Sequence, residues 1–215
     1  MSAFLARAAD APRHSAHRLL LASASPRRAE LLRMAGYDFD TAVADVEEVP
    51  RRGERAVDYG ARVALDKARA VARPGCVCLA ADTEVVLGRR IFGKPADAAD
   101  AAAMLVTLSD RWHRVQTSVA LIAEQQTVQF TVSTRVRFRP LSAAEIADYV
   151  ATGEAQGKAG AYAIQGHAAL FVAALRGPYT NVVGLPLFEV GRALADLGVQ
   201  PRWVQRIDSA GAASL

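Results

Sequence analysis

The chain is poor in the residues that build metal and redox centres, with two cysteines and four histidines among 215 residues. Cys76 and Cys78 stand two apart in an apolar run, on one side of a predicted strand, a placement that rarely allows a disulfide. A lone C-x-C is also two ligands short of a structural zinc site, so both are expected as small buried hydrophobes. His14, His17, His113 and His167 show no ligand spacing such as H-E-x-x-H. G-x-x-x-x-G-K-S/T and G-x-S-x-G are missing too, which removes the common phosphate-loop and acyl-transfer motifs. Long apolar runs are lacking: stretches such as Ala168 to Leu175 fall far short of the roughly 20 residues that span a bilayer. The leader Met1 to His17 has no continuous apolar region of roughly 7–15 residues, so it does not read as a secretory signal. A cytoplasmic protein with no membrane partner is expected.

What is present suits a folded chain, with 52% hydrophobic and 22% charged residues. The length fits one large domain or two closely packed lobes. A net charge of +4 favours anionic partners only in a general way.

Periodicity outlines the elements. Leu19 to Ala22 is an apolar run that stops at Ser-Ala-Ser-Pro, after which Leu31, Leu32 and Ala35 recur at helical spacing up to Gly36. Ser25 suits the N-cap and Pro26 the first helical position. A second amphipathic helix is predicted from Glu54 to Ala72, with Lys67 a step around from its apolar stripe. Cys76 to Ala81 reads as a buried strand ending at Asp82-Thr83, with Glu84 to Leu87 either continuing it or turning toward Gly88. Asp97 can cap a helix from about Ala98 to Leu108. Val115 to Ile122 and Thr127 to Arg139 read as an antiparallel hairpin with one wet face. Ser142 and Glu145 form a capping box for a helix to about Ala151, with Leu141 and Ile146 as its staple. Leu170 to Leu175 is another predicted strand, and Pro186 opens a last helix closed by Gly198.

Several residues invite chemistry, each with a plainer reading beside it. The loop Ser23-Ala24-Ser25-Pro26-Arg27-Arg28 places hydroxyls and guanidiniums at a helix N-terminus, a combination suited to polyphosphate. Alternatively, Ser25 merely caps and the arginines are solvated. Asp82 at a strand's carboxyl end could face a ligand, or could cap the following turn. Glu48 could join it as an oxygen ligand for Mg²⁺ or Mn²⁺, or be a loop charge like Glu47. Lys67 and Lys94 are surface lysines by default, although Lys94 lies in a constrained Gly93-Lys94-Pro95 loop. Gly157, Gly160 and Gly166 surround a Lys, a Tyr and a Gln, either so that backbone can approach a ligand or as a plain flexible loop.

Together, Leu21 to Arg28, Ala81-Asp82-Thr83, Gly93-Lys94-Pro95, Lys158 to Tyr162 with Ile164-Gln165-Gly166, and Asn181 to Pro186 resemble the Maf family of nucleoside triphosphate pyrophosphatases. Their order and spacing agree from Arg18 to about Gly198. The resemblance implies Asp82 as proton acceptor, Ser23, Arg28, Lys67 and Lys94 around the phosphates, and Glu48 with Asp82 at a divalent cation. It further implies hydrolysis of a nucleoside triphosphate to monophosphate and diphosphate. Some members of the family act on 7-methyl-GTP and typically differ at the positions of Arg27, Thr83 and Gln165, whereas the residues here resemble the dTTP/UTP type. Gln165 offers a donor and an acceptor that can pair with the O4 and N3–H edge of uracil or thymine. Gly157 departs from the family's frequent Asp, and Ser109-Asp110-Arg111 from a common Ser-Gly.

The resemblance also implies an α/β fold: a mixed twisted sheet flanked by helices, two lobes around a cleft, and a homodimer. One Maf-like unit over 18–207 is expected, between tails at 1–17 and 208–215. The rival from another class is a non-catalytic nucleotide- or DNA-binding regulator of septum formation. No stable nucleic-acid partner is expected, because acids beside phosphate-binding arginines do not serve a DNA reader and no helix carries a continuous basic stripe.

Overall fold

The computed structural model describes residues 18–204, so both expected tails lie outside the described residues. One seven-stranded sheet organises the chain: β1 (Arg18–Ala22), β2 (Phe39–Ala42), β3 (Cys76–Leu87), β4 (Arg90–Phe92), β5 (Trp112–Ala123), β6 (Gln126–Phe138) and β7 (Val172–Arg176). The order is β2-β1-β3-β5-β6-β7, with β4 turning back onto the end of β3. β1 runs parallel to both β2 and β3, and every later pairing is antiparallel, so the sheet is mixed as expected.

Among the described residues the sheet is flanked by the helices α1 (Pro26–Met34), α2 (Ala56–Val71), α3 (Ala98–Leu108), α4 (Ala143–Ala151), α5 (Tyr179–Val183) and α6 (Leu187–Asp196). The larger core joins Leu31 and Leu32 of α1, Met104 and Leu105 of α3, Ile146 of α4 and Leu194 of α6 with the odd-numbered residues of β3 and β5. On the opposite face, Ala64 and Ala68 of α2 cover Leu20, Cys78, Ala80 and Ala120. Alternation along a strand thus sends each neighbouring pair of β3 residues to different cores.

Several predicted boundaries hold closely. Asp97 caps α3 by accepting from the Asp100 N–H, and Ser142 with Glu145 forms the reciprocal capping box of α4. Cys76 and Cys78 are buried and unbridged. Other expectations change. Of the two readings of Glu84 to Leu87, continuation holds and Asp82 does not close a strand: β3 runs to Leu87, because β5 pairs with it from Val77 to Val86 and β4 adds a second partner from Val85. Leu170 is exposed within a 3₁₀ turn, and β7 begins at Val172. The short β2, β4 and α5 escape prediction because three to five residues carry too little periodicity.

Candidate active site

Parallel pairing of β1 with β3 ends at Leu21 opposite Leu79, where β1 gives way to the loop that enters α1. Past this point β3 stays paired with β5 but has no partner on its β1 side until β4 joins at Val85, so its next residues border an open edge. Alternation puts Asp82 and Glu84 on the α2 side of the sheet and Thr83 on the α1 side. A cavity of about 850 Å³ opens at this edge, lined by the Ser23 to Arg28 loop, Glu48, Lys67, residues 82–85, Phe92 to Lys94, and both 157–159 and 162–165.

On the α2 side, Lys67 is buried, contrary to the default of a surface lysine. α2 packs flat on β3, and the Lys67 ammonium reaches Asp82 Oδ1 at 2.6 Å and Glu48 Oε1 at 2.8 Å. Lys94 is exposed and touches the same carboxylate more loosely, with Nζ 3.4 Å from Glu48 Oε2. Burial opposes ionisation of Asp82, but its neighbour Glu84 and the Lys67 ammonium outweigh that and hold its carboxyl below the usual range. Glu84 moves the other way. Burial, then the adjacent Asp82 carboxylate, push it well above the ordinary carboxyl range, so it carries a proton at neutral pH. The Glu84 carboxyl lies against the backbone of α2 at Gly60, where an added methyl would stand 2.5 Å from Oε1 and 2.8 Å from Ser118 Oγ.

The α1 side is built differently. Ser25 occupies the N-cap position of α1, yet its side chain makes no cap hydrogen bond and no acid lies in the first turn. The capping alternative for Ser25 therefore fails; its N–H instead donates to Ser23 Oγ at 3.1 Å. Arg28 is fixed at three nitrogens: Nε donates to the Gly184 carbonyl (2.8 Å), Nη1 to Ser23 Oγ (3.2 Å) and Nη2 to Thr83 Oγ1 (3.0 Å). Thr83 Oγ1 lies 3.0 Å from Thr117 Oγ1, which donates to the Asn181 carbonyl at 2.9 Å. Asn181 Nδ2 donates to the Val115 carbonyl and to Thr134 Oγ1. Burial lowers the affinity of Arg28 for its proton, partly offset by Asp82.

At the outer rim, Arg27 and Gln165 line the cavity, and Lys158 stands near enough to Arg27 for their charges to interact. Thr83, the third residue expected to choose the base, has its hydroxyl engaged by Arg28 and Thr117. Of the three glycines in the 157–166 loop, Gly157 borders the cavity, whereas Gly160 packs on Val85 and Gly166 on Glu154. The ligand-approach reading thus applies to Gly157 alone. Glu84, Tyr59, Thr117 and Gly60 were not singled out from sequence. The period-two rule carried on from Cys78, Ala80 and Asp82 was the available signal for Glu84. Tyr59 donates to the Glu48 carbonyl at 3.0 Å and steadies that loop.

A hard divalent cation needs oxygen donors, and Glu48 and Asp82 supply carboxylates already gathered around one positive charge, the Lys67 ammonium. Among the described residues no third Asp, Glu, His or Cys completes a cluster with them. Two carboxylates with substrate phosphates completing the shell is the usual arrangement for Mg²⁺, so the donor set fits.

A helix N-terminus without a side-chain cap, a preset arginine and a carboxylate paired with a buried lysine thus meet at one open cavity of an α/β fold, an arrangement suited to a phosphorylated ligand. A profile of the family described as Maf-like protein matches residues 18–197, and the chain belongs to the Maf family. A protein of Aromatoleum aromaticum is 49% identical over 197 residues, covering 84% of this chain and 96% of its own, and is named dTTP/UTP pyrophosphatase. Relatives from Cereibacter sphaeroides and Methylococcus capsulatus carry the same name. Each is 50% identical, covering 84% and 85% of this chain and 95% and 92% of theirs. Among solved structures, one titled "The structure of the Staphylococcus aureus Ham1 protein" overlaps at TM-score 0.41 and 15% identity, covering 56% of this chain and 71% of that one. That likeness is too slight to bear on fold or chemistry.

Proposed function

We propose that the protein hydrolyses dTTP and UTP, releasing the nucleoside monophosphate and diphosphate. The observation that carries this reading is Asp82, ionised and held at 2.6 Å by Lys67, in one cavity with the uncapped N-terminus of α1 and Arg28. The relatives' shared name supports the choice of nucleotide.

In this mechanism the phosphates lie over the Ser23 to Arg28 loop, where free helix N–H groups and Arg28 meet them, with Lys67 and Lys94 alongside. Asp82 takes the proton from the water that attacks the α-phosphorus, and the bond to the bridging oxygen breaks as diphosphate leaves. Its lowered pKa keeps it ionised at neutral pH, so a carboxylate oxygen rather than a hydroxyl faces that water. Glu48 and Asp82 would hold a divalent cation, Mg²⁺ or Mn²⁺, which when bound supplies charge neutralisation on the phosphates. Gln165 and Arg27 meet the base at the rim. Thr83 acts on the choice of base through the orientation of Arg28 rather than with a free hydroxyl.

The protein acts as a cytoplasmic enzyme, assembles as a homodimer and keeps no stable nucleic-acid partner. The test is diphosphate release from UTP, dTTP, CTP and 7-methyl-GTP with Mg²⁺ or Mn²⁺. UTP and dTTP should be turned over fastest, and release from none of them would overturn the reading.

A further inference from the structure

Glu154 lies outside the cavity lining, three residues beyond α4, yet its carboxylate collects more donors than any residue in the site. Oε1 accepts from the Tyr149 hydroxyl at 3.0 Å and from the Ala168 N–H at 3.3 Å. Oε2 accepts from the His167 N–H at 2.8 Å and lies 2.7 Å from His167 Nδ1. The two backbone donors open the 3₁₀ turn His167–Phe171, where N–H groups have no partner inside the helix. Burial opposes ionisation of Glu154, and the donated hydrogen bonds outweigh it, so the carboxylate stays charged.

These bonds close a loop that begins and ends at the same carboxylate and contains the rim of the cavity. Within it the Gly166 N–H donates to the Ala163 carbonyl at 3.0 Å, forming a turn with Gln165 inside it. The carboxylate lies so close to Gly166 that a Cβ there would collide with it, so the turn rests directly on Glu154. The far side of the loop is fixed by the Gly160 N–H, which donates to the Gly93 carbonyl at 3.0 Å. Gln165 itself is exposed, and its side chain makes no hydrogen bond to another described residue. Its placement comes from the turn, and the turn's placement comes from Glu154.

We propose that Glu154 is a positioning residue for base selection, setting the Ala163 to Gly166 turn so that Gln165 meets the pyrimidine edge. The proposal rests on the reading of the cavity as a pyrimidine nucleotide site. Glu154→Gln keeps size but, whichever way the amide turns, sets its NH2 against a backbone N–H, that of His167 or of Ala168, which needs an acceptor. KM for UTP should rise about tenfold, the scale of one hydrogen bond, while kcat stays within about twofold because Asp82 and the phosphate residues are untouched. The preference for UTP over CTP should fall by a similar factor. A residue acting through Gln165 gives non-additive effects, so E154Q/Q165A should be no less selective than Q165A alone.

Hydrogen exchange of the amides 161–168 gives a readout independent of substrate and should speed up in E154Q. Additive losses, an unchanged UTP to CTP ratio, or unchanged exchange would each overturn the proposal. If the wild-type protein releases no diphosphate from UTP or dTTP, the site reading fails first and takes the selection role with it. Faster exchange in E154Q would then still mark Glu154 as the loop's structural clasp.

Discussion

The two sides of β3 solve the problem of buried polarity in opposite ways. Toward α1, Arg28, Ser23, Thr83, Thr117 and Asn181 form a continuous chain of hydrogen bonds in which most donors have a fixed acceptor. Toward α2, Glu48, Lys67 and Asp82 are paired charges beside a protonated Glu84, linked through long side chains and an exposed loop. A satisfied network holds one geometry, whereas ion pairs with spare oxygens can exchange partners. The first side is suited to presenting a preset surface to phosphate, the second to taking up a proton or a cation during turnover.

The sharpest way to break this contrast is Asp82→Asn. Turnover of UTP should fall about 10²–10⁴-fold with nucleotide affinity largely kept, measured by steady-state kinetics and equilibrium binding. Near-normal turnover would move the chemistry elsewhere.

Next comes pH acting on the fixed side. His113 shares the larger core's face, buried against Phe138 and Tyr162, and burial lowers its pKa from 6.5 to about 4. The unfolded chain therefore takes up this proton first. The contribution of His113, read as the stability of the wild type minus that of His113→Gln, should fall as pH drops from about 6.5 to 4, by about 3 kcal/mol in all, and level off below that window. Urea unfolding across this range is the measurement. A profile equally steep in His113→Gln would show that another group is responsible.

Thr117→Val removes the hydroxyl between Thr83 and the Asn181 carbonyl. About 1–3 kcal/mol of stability should be lost, with diphosphate release little changed, and calorimetry beside kinetics separates the two. A large kinetic effect would mean that the α1 side does more than hold a shape.

The smallest effect is expected at Lys94, whose contact with Glu48 is exposed. Lys94→Ala should leave the melting temperature nearly unchanged while KM rises most at low salt, the behaviour of a screened surface charge.

How much of this was legible in the sequence follows from how local each signal is. Caps and helix periods act over four residues, so α3 and α4 could be read to within a residue of their ends. The motif residues Ser23, Arg28, Asp82 and Gln165 could be named from the family pattern and do line one cavity. Burial of Lys67 could not be read, because on the helix it sits beside the apolar stripe and only the docking angle of α2 decides which way it faces. The continuation of β3 past Asp82 depends on partners 34 residues away, as in the pairing of Thr83 with Thr117. Glu84 stayed unremarked for the same reason. Its acidity argues for a surface position, and only the close approach of Gly60 shows it wedged inside.

The alternation of β3 also limits how this site can be inherited. Asp82, Thr83 and Glu84 reach their different partners only because the strand is counted in twos from Leu79. Inserting or deleting a single residue between Leu79 and Asp82 would turn the acid toward the hydroxyl network and the threonine toward Lys67. Substitution can therefore retune the pocket one position at a time, but a change of length cannot. Length variation among natural relatives should collect instead at exposed turns such as Gly88 to Arg90, where the strand has already passed the site.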